Sequence, residues 1–104
     1  MESTRLIQIL LPVHDNEKKP FPPDHYTAIA DELTDRFGGV TTYSQAPAEG
    51  LWQDGSATVA DTIIVMEVMI EQPDLMWWRE FRERLELRFK QDQIIIRSIP
   101  IDLL

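Results

Sequence analysis

The chain has 104 residues, 43% of them hydrophobic, which is enough for one packed core and too few for two, so residues 1–104 read as a single domain. Eighteen acidic against ten basic side chains give a formal charge of -8, a field that repels phosphates and anionic headgroups and argues against nucleic acid or a membrane surface as partner. With no cysteine, disulfide scaffolds, thiol nucleophiles and thiolate zinc sites are excluded.

The opening MESTRLIQILLPVHDNEKKP carries only a short apolar run followed at once by charges. That pattern is neither a signal peptide nor a membrane span, and cytoplasm is the expected location. Within it, Leu6 to Val13 are apolar except for Gln8 and Pro12, as in a strand buried on most of both faces. HDNEKKPFPP follows and ends at Asp24, whose carboxylate can accept from the free amides of a helix start. From there Tyr26, Ile29, Ala30, Leu33 and Phe37 recur at helical spacing, with Asp31, Glu32, Asp35 and Arg36 on the other side. Gly38 and Gly39 come after the last stripe residue and read as a C-terminal cap. They follow a helix rather than precede one, and no GxxxxGK[ST] or GxGxxG pattern occurs, so they are not a phosphate cradle.

VTTYSQA has the β-branched and aromatic content of a short strand, and PAEGLWQDGSA is a hairpin connection punctuated by Pro47, Gly50 and Gly55. Thr58 to Glu71 is a long β-forming run suited to the middle of a sheet, stopped by Gln72, Pro73 and Asp74. A second helix then places Leu75, Trp78, Phe81, Leu85 and Phe89 on one face, with Trp77 about 100° away at its rim. Arg79 with Glu83, Glu80 with Arg84, and Glu86 with Lys90 are spaced for ion pairs on the exposed side. Gln93 to Ile101 closes the chain as a strand, and Pro100 places it at an edge because proline donates nothing to a ladder.

The order β, α, β, β, α, β predicts an α+β, ferredoxin-like domain: a four-stranded antiparallel sheet with two helices on one face and the first and third strands central. Strand alternation assigns Ile7, Ile9, Leu11, Ile64, Met66, Val68 and Ile70 to the helices. It leaves Leu6, Gln8, Leu10, Ile63, Val65, Glu67 and Met69 on the free face, joined on the last strand by Ile95, Arg97 and Ile99. Such a face is too apolar for water, so either a second subunit packs on it as a homodimer or a loop closes over a small-molecule pocket.

On that face Gln8, Glu67 and Arg97 fall on neighbouring strands, and Tyr43 or Thr42 extends the row. A carboxylate among Leu10, Ile63, Val65 and Met69 needs a partner, so Glu67 is expected to find Arg97, Gln8 or a ligand. An unpaired Glu67 would have its pKa raised and could act as a general acid or base; the alternative is a structural ion pair across a dimer seam. Trp52 either plugs one end of the core or lines a pocket with Tyr43 above Glu67. His14 and His25, with Asp15 and Asp24, are weak metal candidates in no spaced ligand motif. No cofactor-binding motif and no Gly-x-Ser-x-Gly elbow occurs.

FGGVT at 37 to 41 and GLW at 50 to 52, followed by a hydrophobic strand and FKQDQIII, resemble small bacterial proteins of unknown function that share a Phe-Gly-Gly-x-Thr turn and a downstream Gly-x-Trp. The resemblance spans Leu33 to Arg97. It implies a ferredoxin-like fold, lends weight to Thr41 and Trp52, and transfers no activity. Three functional classes follow: a homodimeric cytoplasmic module that binds a protein or small ligand, a cofactor-independent enzyme of the dimeric α+β barrel type using Glu67, or an acidic antitoxin- or inhibitor-like partner of a basic protein.

Overall fold

The computed structural model describes residues 4–45 and 63–104. Its elements are β1 (Thr4–Pro12), α1 (Pro23–Phe37), β2 (Thr41–Gln45), β3 (Ile63–Ile70), α2 (Leu75–Phe89) and β4 (Ile95–Ile101). The four strands form one antiparallel sheet in the order β2-β3-β1-β4, so the two most apolar strands are central, and the fold is ferredoxin-like α+β. Of the expected strand from Thr58 to Glu71, the part before Ile63 lies outside the described residues, as does Trp52.

Each helix ends where local chemistry stops it. Gly38 takes φ +85° and its N–H bonds the Thr34 carbonyl at 2.8 Å, the left-handed cap expected of the glycine pair. The start of α1 differs from expectation. Pro22 occupies the N-cap without a side-chain bond, Pro23 follows inside the helix, and Asp24 sits within the first turn. Proline's fixed φ and missing N–H suit that position, so the cap lies two residues earlier than expected and Asp24 acts on the helix dipole instead. Asp74 does cap α2, accepting from the Trp77 amide at 3.1 Å.

The core lies between the helices and one face of the sheet. Ile7, Ile9 and Leu11 from β1, Met66 and Val68 from β3, Ile29 and Leu33 from α1, and Trp78, Phe81, Leu85 and Phe89 from α2 are buried together. Each such side chain contributes about 1.5–3 kcal/mol relative to exposure. Ile94, just before β4, joins them and is held by a hydrogen bond from its amide to Glu86 at 3.0 Å. Trp77 is half-buried at the rim, where the Arg36 guanidinium lies 4.4 Å from its ring centroid.

The three ion pairs expected along α2 do not form among the described residues. Arg84 instead reaches Glu32 on α1 at 2.8 Å, and Glu86 faces Arg82 at 3.9 Å while accepting from Ile94. Lys90, the expected partner of Glu86, has left the helix as a left-handed cap residue. Packing two helices side by side offers an arginine an acid on the neighbour that helical spacing alone does not reveal. No helix among the described residues is long and apolar enough to cross a membrane.

Candidate functional site: a polar string across the open face of the sheet

Register sets the free face. Gln8 stands opposite Glu67 on one side and Arg97 on the other, while Thr41 stands opposite Glu67. One cross-strand row therefore reads Thr41, Glu67, Gln8, Arg97. Below it lie Tyr43, Val65, Leu10 and Ile95, and above it Met69, Leu6 and Ile99. Thr42, opposite Met66, is on the helix-facing side, so of the two candidates on β2 it is Tyr43 that joins the polar group.

The row is wired. The Gln8 side chain donates through Nε2 to Glu67 Oε2 at 2.6 Å, and its Oε1 accepts from Arg97 Nε at 2.7 Å. Tyr43 donates its hydroxyl to the same Glu67 oxygen at 2.9 Å. Glu67 thus finds Gln8, one of its expected partners, and meets Arg97 only through that amide. An amide suits the central place because it donates at one end and accepts at the other, which neither a carboxylate nor a guanidinium can do.

The Tyr43 phenol responds to Glu67. Its hydrogen bond to the Glu67 carboxylate, slight desolvation and the carboxylate's charge raise it above its ordinary value of 10.0, against a smaller lowering from Arg97. At neutral pH the pair is therefore a neutral phenol donating to a carboxylate, an arrangement able to accept from a ligand at one oxygen and attract a cation at the other.

Around this string the surface is apolar. Met69 is 58% exposed, Ile95 51% and Ile99 38%, against 3% for Val65, which lies between Leu10 and Tyr43. Two clefts open at the margins of this face. One of about 750 Å³ opens where β1 ends, lined by Leu10, Pro12, His14, Asp15, Ile63 and Gln91 among others. Another of about 300 Å³ lies by Arg5, Pro73, Leu75 and Trp78 and reaches Arg97 at the end of the row. Neither is lined by Tyr43 or Glu67.

The two histidines part company. His25 is packed on Phe21 and Phe89, with ring centroids 5.7 and 5.4 Å away, whereas His14 is exposed and bridges to Pro20. Asp15 is occupied with its own turn, accepting from the Glu17 and Lys19 amides. Among the described residues no three His, Asp or Glu side chains gather as a metal ion would need. One feature escaped the sequence: Tyr26 donates to the Pro12 carbonyl at 2.6 Å and ties α1 to the end of β1. A tyrosine on a buried helical stripe, needing a partner for its hydroxyl, was the available signal.

No family model matches the chain, and no curated protein matches it. Among solved structures, a phage SAM lyase in complex with S-methyl-5'-thioadenosine superposes with a TM-score of 0.64 at 12% identity, over 100% of this chain and 89% of that one. The divalent ion tolerance protein CutA1 from Ehrlichia chaffeensis superposes with a TM-score of 0.58 at 13% identity, over 100% of this chain and 86% of that one. At such identities the likeness is one of fold, and the fold these structures share with this chain is the ferredoxin-like α+β sandwich of one sheet and two helices.

Proposed function

We propose that the chain is a ferredoxin-like binding module that self-associates through the open face of its sheet. The observation that carries this reading is that face itself. Exposed Met69, Ile95 and Ile99 stand beside Leu6 and Leu10 on both sides of a single polar row in which Gln8 links Glu67 to Arg97. Apolar ground of this kind on a small domain is stabilised by a partner. Native mass spectrometry of the untagged chain tests it. A multiple of the chain mass that falls to a monomer on replacing Ile95 and Ile99 by serine supports the reading; a monomer at micromolar concentration rejects it.

A second reading is small-molecule acid–base chemistry at Tyr43 and Glu67, favoured by the hydrogen-bonded phenol and carboxylate on an exposed face. Because neither cleft described above includes them, a pocket there requires a covering surface, which the assembled module would supply. The neighbour bound to S-methyl-5'-thioadenosine suggests the first compounds to try. Calorimetric titration with S-methyl-5'-thioadenosine, and chromatography of SAM incubated with the protein, would show saturable binding or turnover abolished in Glu67→Gln. An inert protein in both assays removes this reading and leaves the first intact.

A further inference from the structure

We propose that the open face meets a second copy of this chain in one register, with Arg97 of each copy seated on Glu67 of the other. This rests on the self-association proposed above and adds its orientation. The argument begins with the placement of charge. The acid of the polar row stands on β3 and the guanidinium on the edge strand β4, with β1 between them. At two interstrand spacings they are roughly 10 Å apart. Gln8 fills that gap and uses both ends of its amide to hold them, so acid and base are fixed in position without being in contact. Arg97 is exposed and gives only its Nε to Gln8, and a guanidinium carries four further N–H groups for a carboxylate brought from outside.

A face laid on its own copy by a two-fold axis has two simple choices. An axis along the polar row sets Glu67 on Glu67 and Arg97 on Arg97, which like-charge repulsion disfavours. An axis parallel to β1 exchanges the ends of the row, so that each Glu67 comes under the partner copy's guanidinium. That axis also lays the Met69, Leu6, Ile99 row against its own counterpart and the Val65, Leu10, Ile95 row against its own. Apolar ground meets apolar ground while the charges pair crosswise. The face is thus complementary to itself in charge as well as in character, which argues for a second copy rather than an unrelated protein as its occupant.

The test uses two charge reversals, Glu67→Arg and Arg97→Glu, each weighed by native mass spectrometry alone and then mixed. Alone, each face carries one sign, and self-association is expected to weaken by about tenfold or more. Mixed, one face is basic and the other acidic, and a one-to-one heterocomplex of wild-type strength is expected, which a change confined within one chain would not produce. Circular dichroism reports whether each variant is folded. If a reversal does not fold, the salt dependence of the wild-type assembly decides, since a crosswise ion pair weakens as salt rises and a purely apolar seam does not. An assembly indifferent to both reversals overturns the register alone. A monomeric wild type, with or without a bound small molecule, overturns the register and the self-association together.

Discussion

Tyr43 and Glu67 are diagonal neighbours on adjacent strands, joined by a 2.9 Å hydrogen bond from phenol to carboxylate although neither is the other's direct cross-strand partner. The diagonal spacing suits a long aromatic chain reaching back along the sheet. It makes the phenol a reporter of the carboxylate's charge.

The first prediction is a titration. Glu67 raises the Tyr43 phenol, and Tyr26 is raised separately by burial. In Glu67→Ala the Tyr43 transition should move down toward the ordinary tyrosine range while that of Tyr26 stays put, as followed by tyrosinate absorbance. The sign for stability follows: a folded pKa above the unfolded one means that the contact contributes at pH below 10 and is lost as pH climbs through the raised value. Equal movement of both tyrosines, or of neither, would contradict the assignment.

Gly38 and Gly39 should respond differently to alanine. Gly38 holds φ +85°, where a Cβ costs roughly 1–2 kcal/mol whatever the surrounding space. Gly39 has neither a positive φ nor an atom within 4 Å of an added Cβ. Urea denaturation of the two variants is expected to show a loss of about 1 kcal/mol or more for Gly38→Ala and little change for Gly39→Ala.

The helix starts offer a similar contrast. Asp74→Ala removes the bond to the Trp77 amide and should destabilise by about 1 kcal/mol. Asp24→Ala removes only a first-turn charge, expected to matter by about 0.3–1 kcal/mol at low salt and to fade as salt is added. Thermal melts at two ionic strengths separate the cases.

Core and open face should also divide by protein concentration. Phe81 is fully buried, stacked on Trp77 with centroids 4.9 Å apart, so Phe81→Ala is expected to cost about 3–5 kcal/mol at any concentration. Ile95→Ala, at a position 51% exposed, should cost under about 1 kcal/mol in dilute solution and more at high concentration, where the face is covered. A concentration-independent Ile95→Ala would count against burial of that face by a partner.

Much of this was legible because a strand's period of two leaves few choices. Once Ile7, Ile9 and Leu11 turn to the core, Gln8 must turn away, and the antiparallel order brings Glu67 and Arg97 beside it. The choice between Thr42 and Tyr43 was open because β2 is short and bounded by a long connection, so nothing local sets its register. The helix-surface pairs differ from expectation for a related reason. Spacing of four says which residues can meet on one helix, but not that Glu32 on the neighbouring helix competes for Arg84. Asp24 was passed over as a cap in favour of prolines that need no hydrogen bond at all.

Pro100 carries a consequence beyond its place on β4. It stands opposite Arg5 on the strand that forms one margin of the sheet, and it has no N–H to offer a neighbour there. A strand arriving from another molecule could not zip along that margin without losing a rung. Edge-on growth of the sheet past β4 is thereby discouraged, a safeguard written into the strand by one residue.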